Sequence, residues 1–325
     1  MIEVQDAIAL CNQRIKFALQ APGSALQEIT AYLSQNTGKG VRPLLLITAA
    51  ANLEGKVPED VHIVAAALEI LHMGTLVHDD VMDNALARRG MMTVHKKFDV
   101  KTAVICGDYL LSISLSMLAD MDRQRLETFK DHIPLGAQFT KALSNVCKGE
   151  YAQHVNIGNL DMDVFTYLKI IYGKTASLFF VAAHAGAILG GNESVEGIKA
   201  IGRFGRCLGM VFQIADDCKD YEWSEDMAKK PVTNDIKTGV ITLPLILALQ
   251  KDLSLREASR QAMENKKDLR LFIQALQNSG GLKGARALAK RYAVLASQAL
   301  RNISPHKKEA LLSILNDIKG VEPWS

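Results

Sequence analysis

Between Pro58 and Pro134 the chain contains no proline, and none falls between Pro134 and Pro231. Proline removes a backbone donor and clashes with the preceding helical turn, so stretches this long without one leave room for long helices. The residues inside them agree. Ala, Leu, Met, Lys and Glu recur at helical spacing, and in "DVHIVAAALEILHMGTLVHDDV" the large apolar positions return every three or four residues. No alternating strand pattern and no Asn-Gly or Asp-Gly hairpin signal competes. "NTGKG", "LEGKVPED", "LGGNES" and "NSGG" mark helix ends. The pattern predicts an all-α chain of about ten or more helices, read as one domain over residues 1–325.

Composition mainly excludes. Hydrophobic residues at 48% against 22% charged give a soluble globular profile, and a net charge of +3 is too mild to imply a nucleic-acid partner. The cysteines (Cys11, Cys106, Cys147, Cys207, Cys218) are odd in number and form no CxxC, which argues for reduced thiols. "MIEVQDAIAL" carries acids where a secretory signal carries bases. "TASLFFVAAHAGAILGGN", the longest uncharged stretch worth testing as a membrane span, is marginal in length, broken by His184 and rich in glycine, so a buried helix is the better reading. A soluble, cytoplasmic protein with no membrane span is expected.

Two segments echo each other: "VHDDVMD" (Val77 to Asp83) and "QIADDCKD" (Gln213 to Asp220). Each places a DDxxD at the end of an apolar helical stretch. Residues four apart share a helix face, so Asp79 pairs with Asp83, and Asp216 with Asp220. Acids late in a helix also sit at the wrong end of its dipole. One such cluster could be a solvated face; two with identical spacing point instead to a hard cation such as magnesium, which commonly bridges a few carboxylates to substrate phosphates. Phosphate would need further cations. Arg88 and Arg89 follow the first cluster and Lys230 the second, with Lys39 and Arg42 in "GKGVRP" and Lys174 in "YGKTASLF" as further candidates. Each alone reads as a surface charge. A di-iron reading of the two ExxH pairs, Glu59–His62 and Glu69–His72, fails because they lie too close in sequence to face one another across a bundle.

These residues together resemble the trans-isoprenyl diphosphate synthase (polyprenyl synthetase) family, of medium- or long-chain type. "LHMGTLVHDDVMD" with "RRG" is similar to its first aspartate-rich motif and "GMVFQIADDCKD" to its second, while "GKGVRP", "CGDYLL", "KGEYAQ" and "YGKTASLF" fall in the family's order between about Gly38 and Pro244. The resemblance implies the isoprenoid synthase fold: antiparallel helices around a central cavity, usually a homodimer. It implies Asp79, Asp83 and Asp216 as magnesium ligands, with Asp80, Asp217 and Asp220 in support, and about three Mg2+ ions per site once diphosphate binds. Arg88, Lys174 and Lys230 would hold the allylic diphosphate; Lys39, Arg42, His72 and Arg89 would hold isopentenyl diphosphate; Thr175 and Gln213 would line the cavity near the reacting carbons. An allylic cation, attacked by the double bond of isopentenyl diphosphate, would lose a proton to the released diphosphate.

One departure stands out. Where the family often has "GKPxGxDLxxGKxTLP", this chain reads "KKPVTNDIKTGVITLP", so Thr233 replaces a glycine and Val240 a lysine, with Lys237 nearby. Product length is expected to depend on Gly74 and Thr75, because in the family a bulky residue five before the first aspartate floors the cavity. Glycine there would open roughly 5 Å, one helical turn, and give about six to eight isoprene units (C30–C40), suited to a quinone side chain; Gly74→Phe would then shorten the product. A short-chain (C15–C20) enzyme, and a catalytic subunit that needs a small partner, remain as alternatives. A terpene cyclase is disfavoured by the second DDxxD.

Overall fold

The computed structural model describes residues 1–20, 26–35, 38–125, 132–222, 234–264 and 269–320. The expected all-α character holds. The helices are α1 (Val4–Leu19), α2 (Gln27–Ser34), α3 (Val41–Ala50), α4 (Val61–Met82), α5 (Val94–Lys97), α6 (Val100–Gln124), α7 (Leu135–Val155), α8 (Val164–Ile171), a π-helical turn over Tyr172–Ala176, α9 (Ser177–Gly190), α10 (Val195–Lys219), α11 (Asn234–Thr238), α12 (Leu243–Lys251), α13 (Leu255–Met263), α14 (Leu269–Asn278), α15 (Gly281–Ala299) and α16 (Pro305–Gly320). The starts of α6 and α8 carry side-chain caps: Asp99 and Asp163 accept from the backbone N–H of Thr102 (2.9 Å) and Thr166 (2.7 Å).

The chain forms two compact units interleaved in sequence. One comprises Met1–Lys141, Val181–Gly202 and Asn302–Ile314; the other comprises Ala142–Phe180, Arg203–Arg301 and Leu315–Ser325. In the first, α4 is the central element. Its run of small residues, Ala65, Ala66 and Ala67, is fully buried, and α6 packs along it. The approach is close at Gly74, where a Cβ would stand 3.1 Å from both the Gly107 carbonyl oxygen and Leu111 Cδ2. In the second unit Tyr167, Ile214, Leu243 and Phe272 anchor the core, and α12 packs on α15.

Two features depart from the sequence reading. Short antiparallel strand pairs occur: β1 (Ile2–Glu3) with β2 (Lys56–Val57), and β3 (Ala87–Arg88) with β4 (Met91–Met92). Strands of two residues are too short to leave an alternating pattern. Among the described residues, three helical stretches are also long and apolar enough to cross a membrane: Val61–Met82, Val100–Gln124 and Val164–Gly190, with 72%, 39% and 56% of their most apolar windows buried inside the protein. For α4 that apolarity is spent largely on packing.

Candidate active site

In the first unit α4 delivers its acids at its C-terminal turn. The Asp83 N–H caps the helix on the Asp79 carbonyl oxygen (2.8 Å). Asp79 is half-buried and Asp83 exposed, whereas Asp80, between them, is 6% exposed and turned inward. Its Oδ1 accepts from Arg88 Nε at 2.7 Å. Burial raises the Asp80 carboxyl above its ordinary range, and the Arg88 charge opposes that shift. Arg88 is thus tied to the middle acid of the cluster.

The β3–β4 connection is a two-residue turn in which Arg89 and Gly90 both take positive φ, 52° and 79°, the pattern that usually selects Asn-Gly or Asp-Gly. An arginine there is strained. Its guanidinium lies directly against Gly38, so a Cβ at position 38 would require it to move aside. Backbone strain held in place by its surroundings clusters at functional sites. Arg89→Asn relieves the turn but withdraws the guanidinium, and it is expected to weaken inorganic pyrophosphate binding about tenfold in calorimetry; unchanged affinity would refute its role in holding diphosphate.

Around Gly38 the chain assembles cations. Lys39 is exposed just ahead of α3, whose positive end suits an anion. Arg42 Nη1 donates to His72 Nε2 at 3.0 Å. Removal from water, then the charges of Arg42, Arg89 and Arg88, hold the His72 pKa well below its ordinary value, so the imidazole is neutral. The same burial lowers Arg42 to about 10. Glu69, which sequence reasoning set aside with the di-iron pattern, is buried on α4 one turn before His72.

In the second unit the π-turn presents Lys174 and Thr175, and single π-turns within helices often mark functional positions. It crosses α7 at two glycines: a Cβ on Gly173 would stand 2.6 Å from the Asn145 carbonyl oxygen, and one on Gly149 would meet the backbone at Lys174. That crossing brings Lys174 Nζ within 2.9 Å of Glu150 Oε2. Thr175 Oγ1 donates to Gln213 Oε1 (2.5 Å), and Gln213 Nε2 donates to Asp217 Oδ1 (2.8 Å). The other Asp217 oxygen accepts from the Tyr167 hydroxyl (2.5 Å). Burial pushes the Asp217 carboxyl up to about 7, against these two hydrogen bonds.

The second cluster thus repeats the first, with its middle acid inward and engaged. Asp216 is 61% exposed, with Lys219 Nζ 3.6 Å away. Asp220 Oδ2 accepts from the backbone N–H of Asp235 (2.9 Å), and burial followed by the charges of Asp217, Asp220 and Asp216 holds the Asp235 carboxyl well above its ordinary range. Glu150, Tyr167 and Asp235 were missed by sequence reasoning. Val240 is half-buried and Lys237 exposed, while Lys230 and Thr233 lie outside the described residues. Thr75 is buried, its hydroxyl donating to the His72 carbonyl oxygen (2.8 Å).

Among the described residues no group of three or more His, Cys, Asp or Glu side chains could hold a metal unaided. The donor set still suits magnesium, which is typically held by one or two carboxylates plus substrate phosphates and retained waters.

A family profile described as polyprenyl synthetase matches residues 24–276. A heptaprenyl diphosphate synthase component 2 from Geobacillus stearothermophilus is 30% identical over 95% of this chain and 93% of its own length. Among solved structures, a decaprenyl diphosphate synthase from Rhodobacter capsulatus is 28% identical, with a TM-score of 0.86 over 98% of this chain and 97% of that one. A polyprenyl synthase from Caulobacter crescentus complexed with calcium and isoprenyl diphosphate is 28% identical, with a TM-score of 0.84 over 97% and 94%. Names of other relatives run from a short chain isoprenyl diphosphate synthase to octaprenyl and solanesyl diphosphate synthases. The two aspartate clusters and their attendant cations thus stand on a fold shared with prenyltransferases, and the chain belongs to the polyprenyl synthetase family, an enzyme of that kind.

Proposed function

We propose that this enzyme extends an allylic diphosphate with isopentenyl diphosphate units to an all-trans polyprenyl diphosphate of about C30–C40, with magnesium as its metal. The observation that carries this reading is the sorting of acids within each DDxxD, with Asp80 and Asp217 drawn inward and Asp83 and Asp216 exposed. Asp79, Asp83 and Asp216 would hold the metal, which when bound neutralises charge developing on a departing diphosphate. Lys174 and Arg88 bind that diphosphate as fixed positive charges, and the allylic carbon–oxygen bond breaks with its electron pair leaving on the phosphate oxygen. Lys39, Arg42 and Arg89 hold isopentenyl diphosphate, and neutral His72 orients Arg42. The double bond of isopentenyl diphosphate then attacks the allylic carbon, and the resulting cation gives up a proton to the released diphosphate. No side-chain nucleophile is required.

The product class is supported by the heptaprenyl and decaprenyl synthases among the similar chains. We take both units as parts of one catalytic domain, which the family profile's span across residues of each supports. A homodimer is supported by exposed Val104 and Ile105 on α6. Purified chain incubated with magnesium, labelled isopentenyl diphosphate and primers of increasing length tests the proposal: products of about C30–C40 are expected, and products stopping at C15–C20 refute the length. A second reading, a catalytic subunit needing a small partner, is favoured by the relative named as component 2. It predicts no product from the purified chain until that partner is added.

A further inference from the structure

The cation array of the first unit contains one acid to which the mechanism above gives no role. Glu69 is 5% exposed and stands one turn before His72 on α4, so the two side chains are neighbours on one face. Arg42 reaches that face from α3, with Nη1 3.0 Å from His72 Nε2. Arg89 enters from the β3–β4 turn, its backbone at positive φ and its guanidinium against Gly38. Both guanidiniums act electrostatically on Glu69, although burial still leaves its carboxyl above the ordinary range. A carboxylate this deep costs free energy unless cations compensate it. The charges of Arg42, which bonds His72, and of the exposed Arg89 both act on that neutral imidazole and would in turn repel one another without an anion near them.

We propose that Glu69 is a positioning residue for the acceptor site: its carboxylate holds the Arg42 and Arg89 guanidiniums in the array that reads isopentenyl diphosphate, without touching that substrate. The inference rests on the reading of Arg42, His72 and Arg89 as that site. A bidentate donor contributes most when its planar fork is fixed before the anion arrives. The buried acid supplies that fixing from behind.

Calorimetry with inorganic pyrophosphate in metal-free buffer tests this on the full chain, beside steady-state kinetics. Glu69→Gln keeps the shape and removes the charge. It is expected to weaken pyrophosphate binding about tenfold and to raise KM for isopentenyl diphosphate similarly, leaving KM for the allylic primer within about twofold. A folded Glu69→Gln protein with wild-type pyrophosphate affinity overturns the proposal, as does a parallel rise in both KM values with a fallen melting temperature. If the Gln variant does not fold, Glu69→Asp decides, since it sets the charge back by one methylene. An affinity loss of about threefold or more then supports the proposal, and wild-type affinity refutes it. A wild-type chain that shows this Glu69 dependence in calorimetry yet transfers no prenyl group refutes the proposed function and leaves the positioning role standing.

Discussion

Replacing Asp79 or Asp216 with alanine is expected to lower turnover by about a thousandfold or more at saturating magnesium, close to 4 kcal/mol of transition-state stabilisation. Melting temperature should stay level or rise slightly, because each change removes an acid from a cluster of like charges. Asp79 stands in the last turn of α4, where the helix dipole also disfavours it. The middle acids should behave in the opposite way. Asp217→Ala strips the Tyr167 hydroxyl and the Gln213 amide of their acceptor, an expected stability loss of about 1–3 kcal/mol for orphaned buried donors. Turnover assays with melting curves separate the classes. Near-normal turnover in both Asp79→Ala and Asp216→Ala would remove the metal-site assignment altogether.

The helices were legible because their signals are local. Proline spacing and apolar periodicity need no knowledge of the partner element, and the i, i+4 acids share a face by helix geometry alone. What stayed hidden depends on how close two helices come. Lys174 meets Glu150 because Gly149 and Gly173 let α7 and the π-turn cross at backbone distance. In "KGEYAQ" and "YGKTASLF" each glycine stands beside the residue it serves, and an isolated glycine in a helical stretch is a signal that could have been followed. Tyr167 and Asp235 carry no such mark, since a lone tyrosine or aspartate in a helical stretch is usually solvated or satisfied in the core. Arg89 was legible as a charge but not as a turn, because arginine is not a residue that positive φ selects.

Gly74→Phe is now expected to cost the fold about 3 kcal/mol or more, rather than cleanly shorten the product. The helical wheel explains the change. Five residues at about 100° each place position 74 roughly 140° round α4 from Asp79, and that side meets α6. A Cβ at 74 would already press on the Gly107 carbonyl oxygen and Leu111 Cδ2, each at 3.1 Å. Leu111 can shift, but the Gly107 backbone is pinned, because His78 packs where a Gly107 Cβ would be and His78 Nε2 bonds the Val104 carbonyl oxygen at 3.1 Å. A melting temperature lowered by several degrees is the expected reading. The space beside Gly74 is occupied by Leu111, which is only half-buried, so the better test of product length is made there. If the growing tail runs along this seam, Leu111→Ala should lengthen the product by at least one isoprene unit and Leu111→Phe should shorten it, both in folded, active enzyme. Products of unchanged size from both variants would place the floor elsewhere.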